Sequence, residues 1–192
     1  MLSEQDLKPA DILLSTGAAS VSAAIRFGTG SRFSHASLYV GDGEIIEAIG
    51  EGVVRQSLDR AMRDDTFVCV YRRIRMSDAQ AGQVIRYASM QIGKPYDQSG
   101  AIGAGVTSGR GILLSVFAGV ILPTVAGIGT GMALAADLMN RWDPERSFFC
   151  SELVALAFDK AGVSLGRGAA SSTPEDVASA HVLNLIGTLK GE

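Results

Sequence analysis

Ser34-His35-Ala36-Ser37-Leu38-Tyr39-Val40-Gly41-Asp42-Gly43-Glu44-Ile45-Ile46-Glu47-Ala48-Ile49 reads as two strand-forming runs joined by an aspartate between two glycines. β-Branched and aromatic residues fill the runs, and Gly-Asp-Gly offers the positive-φ positions that a tight turn needs. The segment predicts a β-hairpin, the strongest local structural signal in the chain. Loop length then decides which side chains share a face. A two-residue loop at Asp42-Gly43 would pair Gly41 with Glu44 and set Glu47 opposite Leu38, on the other side of the sheet from His35. A three-residue loop, Gly41-Asp42-Gly43, would pair Val40 with Glu44 and Ser37 with Glu47, leaving His35 and Glu47 as diagonal neighbours on one face.

Outward from the hairpin, residues 10–15 predict a short buried strand after Pro9, residues 18–27 a short helix ended by Gly28, and residues 28–31 a loop. Downstream, residues 56–63 predict a short amphipathic helix and residues 66–73 an alternating strand that holds Cys69. A strand centre gives a thiol no helix dipole, so Cys69 reads as structural. The basic run Arg72-Arg73-Ile74-Arg75 reads as a solvated strand end. Ser77 caps a helix through Met90 that ends near Gly93, and Gly93-Lys94-Pro95-Tyr96-Asp97 is a turn. Thr173 caps a short helix with Pro174 at its first position, and residues 181–186 form a last strand.

A second chemical signal lies at Ser147-Phe148-Phe149-Cys150-Ser151-Glu152-Leu153-Val154. Apolar residues at 149, 153, 154, 156, 157 and 158 recur at helical spacing, with Ser147 as N-cap, so Cys150 falls in the first helical turn. Unpaired N–H groups and the positive end of the helix dipole there stabilise a thiolate and can hold a developing oxyanion. The same pattern also describes an inert buried cysteine. His35 reads equally as a general base or as a histidine on a half-buried strand, and Glu47 as its orienting partner or as a solvated strand residue. His181 is a competing base with no motif around it.

With 192 residues, 47% hydrophobic and 19% charged, the chain predicts one globular domain over residues 1–192, carrying an insertion at about 100–140. A net charge of −3 gives no electrostatic footprint for nucleic acid. Two cysteines and two histidines make neither a disulfide framework nor a metal-ligand pattern. The opening MLSEQDLKPADILLS has no apolar signal core, which predicts a cytoplasmic protein or export by a route that reads no such signal. From Gly111 to Ala136 no residue is charged, and those 26 residues would reach about 39 Å as one helix. Pro123 divides the run and five glycines weaken it. Three readings stand open: a helical hairpin packed on the domain, a lipid-facing surface, and a membrane span.

The segment SHASLYVGDGEIIEAIGEGV resembles the histidine hairpin of NlpC/P60 cysteine peptidases, and GKPYD followed by FFCSELVALAFDKAGV resembles their tyrosine and cysteine segments. The histidine segment comes before the cysteine segment, an order that resembles the circularly permuted papain-like branch with its YiiX-like and lecithin–retinol acyltransferase-like members. The resemblance covers residues 10–97 and 147–180. It implies an α+β fold with an antiparallel sheet packed with helices. It implies Cys150 as nucleophile, His35 as general base, Glu47 as the residue orienting His35, and Tyr96 and Ser151 on the oxyanion and substrate side, with no metal or cofactor. Common members carry His, Asn or Gln where Glu47 stands. The implied reaction is amide cleavage in a peptide or cell-wall peptide through an acyl-enzyme. A lipid-directed acyl hydrolase or acyltransferase using the same thiol, with lipid contact through residues 111–136, is one alternative; a non-catalytic interaction module is another. If Glu47 orients His35, the hairpin must have the three-residue loop or another odd-length loop, with a glycine at positive φ.

Overall fold

The computed structural model describes residues 1–17, 32–95, 149–166, 168 and 172–191. The expected helix at 18–27, the loop at 28–31, Tyr96, the apolar run 111–136 and Ser147 lie outside the described residues. Among the described residues six strands form one sheet: β1 (Ile12–Gly17), β2 (His35–Gly41), β3 (Glu44–Ile49), β4 (Gly52–Ser57), β5 (Asp65–Arg73) and β6 (Leu183–Lys190). Their order is β4-β3-β2-β1-β5-β6, and every neighbouring pair is antiparallel. The α-helices among the described residues are α1 (Leu58–Ala61), α2 (Asp78–Met90), α3 (Cys150–Lys160) and α4 (Pro174–Ala178).

Alternation along the strands separates two cores. Ile12, Leu14, Ala36, Leu38, Ile46, Ala48 and Cys69 face α2 and α3, where they meet Val84, Ala88, Leu153, Val154, Ala157 and Phe158. Leu13, Tyr39, Ile45, Val68 and Val70 point the other way, into a smaller cluster with Leu7 and Leu58. Leu153, Val154 and Phe158 are fully buried, each worth about 2–3 kcal/mol by area removed from water, which fixes α3 against β2 and β3. Ser77 caps α2 and Thr173 caps α4, as the sequence predicted, and the structure closes each cap into a box, with Gln80 and Asp176 respectively.

The hairpin reaches the expected pairing by an unexpected route. Ser37 pairs with Glu47, yet the turn is the two-residue Asp42-Gly43, with Gly41 opposite Glu44. The register shifts between Tyr39 and Gly41, so Val40 is an extra residue with no partner on β3. One bulge residue supplies the odd offset that the three-residue loop was expected to give. Asp42 and Gly43 have φ of 53° and 69°, the two positive values that a tight turn matching strand twist requires.

Three further expectations are corrected. Residues 56 and 57 belong to β4, and the helix after it is only Leu58–Ala61, because Gly52–Ser57 pairs with the whole of β3 and Ser57 then caps α1. Arg72 is not a solvated strand end: its Nε and Nη2 donate to Asp11 Oδ1 and Oδ2 at 2.7 Å, and Asp11 is buried. α3 begins at Cys150 with Phe149, not Ser147, in the N-cap position and no side chain capping it. The N–H of Ser151 is instead directed to the sulfur of Cys150.

Candidate active site

β2 and α3 bring the two chemical signals together. His35 opens β2, Cys150 opens α3, and the thiol and imidazole form a hydrogen-bonded pair. The main-chain N–H groups of Ala36 and Ser151 also donate to Cys150 Sγ. Ala36 stands one residue beyond the last β2–β3 pair, Ser37 with Glu47. Across the hairpin, Glu47 Oε2 lies 2.5 Å from His35 Nε2. That contact occupies Nε2 and leaves Nδ1 as the ring nitrogen for the thiol. Gln56, on β4, donates through Nε2 to Glu47 Oε1. His35 retains 25% of its side-chain exposure while Glu47 retains 5%, so the imidazole is the rim of the group and the carboxylate its floor.

Electrostatics follow from this chain. Burial raises the thiol pKa of Cys150, but the charge and hydrogen bond of His35 and the two N–H groups outweigh it, holding the thiol below its ordinary 9.0. Burial alone would lower the imidazole; Cys150 and then Glu47 reverse this and hold His35 well above 6.5. Glu47 is pushed up by burial and pulled down further by His35 and Gln56, ending below 4.5. The arrangement favours a thiolate, an imidazolium and a carboxylate in line. Asp65 stands on the same side of the sheet, because the register shift beside Thr16 pairs it with Gly17, and burial raises its carboxyl above 3.8.

The sequence-predicted residues divide. Cys150, His35 and Glu47 come together. The hydroxyl of Ser151 does not face a substrate: it is fully buried and donates to the carbonyl of Ser172, so Ser151 reaches the sulfur only through its N–H. His181 is exposed in the turn before β6 and makes none of these contacts among the described residues. Cys69 is buried in β5, where loss of solvent raises its pKa above 9.0. Gln56 carried no sequence motif, and Ala36 lay inside the histidine segment with no role read for it; Gln56 was legible only once β4 was recognised as a strand whose alternation matches that of Glu47.

Residues 6–101, which hold His35, Glu47 and Gln56, match the family described as "Permuted papain-like amidase enzyme, YaeF/YiiX, C92 family". The chain belongs to the C92 family of permuted papain-like amidases. The family's description is that of a permuted papain-like amidase. The chain is 30% identical over 159 residues to "Probable lipoprotein peptidase YaeF" of Escherichia coli strain K12, a match covering 82% of this chain. It spans 57% of that relative, a little over half its length. Among solved structures it is similar to the metalloprotein yiiX of Escherichia coli O157:H7, with a TM-score of 0.67 and 18% identity over 96% of this chain and 99% of that one. The C92 fold therefore extends across the sheet and α3 alike. Among the described residues of this C92 chain, no group of three or more His, Cys, Asp and Glu is placed to hold a metal ion.

Proposed function

We propose that Cys150 is the nucleophile of an amidase or endopeptidase that cleaves an amide bond in a peptide, with cell-wall peptide stems as the substrate class. The observation that carries this reading is the continuous contact from Cys150 through His35 to Glu47, built from three separate elements. The Cys150 thiolate attacks the amide carbonyl carbon, and the charge that develops on oxygen faces the N-terminal end of α3. The carbon–nitrogen bond breaks as the His35 imidazolium gives its proton to the leaving amine. Neutral His35 then takes a proton from water, whose oxygen attacks the thioester. The carboxylic acid leaves and the thiolate returns. Glu47 fixes the ring tautomer and stabilises the imidazolium without itself taking the proton.

The name of the similar Escherichia coli protein supports a peptide substrate and brings a lipid-bearing one into view, and the uncharged run 111–136 favours a second reading, hydrolysis or transfer of a lipid acyl group by the same thiol. Among the described residues no helix is long and apolar enough to cross a membrane. Incubating the protein with peptidoglycan-derived peptides and with phospholipid vesicles, each beside Cys150→Ala, separates the readings. Amine release from the peptides, lost in Cys150→Ala, is the expected result. Fatty-acid release from vesicles instead would favour the second reading, and equal traces with both proteins would overturn catalysis.

A further inference from the structure

We infer that Gln56 is a positioning residue that keeps Glu47 ionised and turned toward His35. This rests on the catalytic reading of Cys150, His35 and Glu47 but is testable without a substrate. Glu47 has two carboxylate oxygens and a nearly buried side chain; one oxygen meets His35 and the other meets Gln56. A glutamate's terminal torsion is broad, so one contact alone leaves the carboxylate free to rotate out of the imidazole plane. Two contacts in different directions fix it. The register supplies both: Glu47 pairs with Val54, and Gln56 lies two residues further along β4, on the same face and diagonal to the carboxylate. Only the amide nitrogen can face a carboxylate favourably, because the amide oxygen would meet it lone pair to lone pair.

The chemical consequence concerns charge. Burial favours the protonated form of Glu47, and a protonated Glu47 would no longer hold His35 as an imidazolium. A neutral donor on the second oxygen stabilises the anion without adding a competing positive charge beside His35. Lysine or arginine there would pair with Glu47 and weaken its pull on the imidazolium. Through His35, the state of Glu47 reaches the thiol.

The test measures iodoacetamide alkylation of Cys150 against pH, read on the Cys150 peptide by mass spectrometry, in wild type, Gln56→Met and Gln56→Glu. Methionine keeps the length and loses the donor; its alkylation midpoint is expected to rise by about one pH unit, tenfold in the proton equilibrium. Glutamate restores either a shared proton on the second oxygen or a further negative charge near His35, so its midpoint is expected at or below that of wild type. Thermal unfolding run alongside reads any loss of packing, which would lower the melting temperature without moving the midpoint. A folded Gln56→Met protein with the wild-type midpoint, or a Gln56→Glu midpoint raised as far as that of Gln56→Met, overturns the inference. A shifted midpoint in Gln56→Met together with no hydrolysis of any peptide or lipid would retain Gln56's role and overturn the hydrolase reading instead.

Discussion

Cys150 and Cys69 are both buried thiols, and the difference between them is their neighbours. Cys69 sits mid-strand, where burial outweighs the opposing charge of Arg32 and its pKa rises; Cys150 has an imidazole and two N–H groups that more than offset its burial. At neutral pH Cys150 is therefore expected to alkylate faster than Cys69 in the folded protein, and the two are expected to converge in denaturant. Peptide-resolved alkylation rates check this, and equal rates in the native state would remove the activated thiol. Glu47 acts one step further away. Glu47→Gln keeps the shape of the side chain but replaces the anion that stabilises the imidazolium, and is expected to lower kcat/KM by roughly 10²–10⁴-fold. Steady-state kinetics on whichever substrate the Cys150 comparison identifies measures it; a loss of less than about threefold would show that His35 is oriented by other groups.

At the scale of elements, the hairpin and its neighbour β4 form the scaffold on which the carboxylate is aimed. Val40 occupies the bulge and packs partly into the core under the helices, so the offset that turns Glu47 toward His35 is anchored by burial. β4 is held on its outer side as well: Val53 N donates to Lys94 O at 2.8 Å, and Gly93 N donates to Val53 O at 2.9 Å. Gly52 permits this approach. Its φ is +113°, and a Cβ there would meet Lys94 O at 2.5 Å, a backbone atom that cannot swing aside. Gly50, two residues earlier, has nothing within 4 Å. Gly52→Ala is thus expected to cost about 1–2 kcal/mol or more, while Gly50→Ala stays within about 0.5 kcal/mol of wild type. Urea unfolding of the two variants decides it, and equal midpoints would show that the 93–95 segment is not clamped to β4.

For the whole molecule, the site couples stability to pH. Glu47 has a folded pKa below its unfolded value near 4.5, so its contribution is complete above about 4.5 and is lost as pH falls through the lowered folded value. Between pH 7 and that lower value, wild type should lose more unfolding free energy than Glu47→Gln, which has no proton to bind there. Parallel urea curves at the two pH values test it, and identical losses would mean that Glu47 carries no ionic stabilisation. Much of this architecture was legible in the sequence. Alternating β-branched runs and a Gly-Asp-Gly turn determined the hairpin, helical spacing after residue 149 put Cys150 in a first turn, and capping serine and threonine residues marked α2 and α4, because these are short-range preferences of backbone and side chain. The pairing of Ser37 with Glu47 was deduced through the role expected of Glu47, and the bulge that produces it was not. A bulge leaves no local signature when the extra residue is a valine that suits a strand as well as a bulge. β4 was missed because an edge strand takes its identity from the strand beside it, and with it went Gln56. The sequence by itself thus determined which residue types could do the chemistry. Only the tertiary structure decided that Ala36 and Ser151 turn their N–H groups to the sulfur, that Ser151 buries its hydroxyl, and that Gln56 reaches Glu47, since each depends on register and helix placement between segments that the core alone brings into contact.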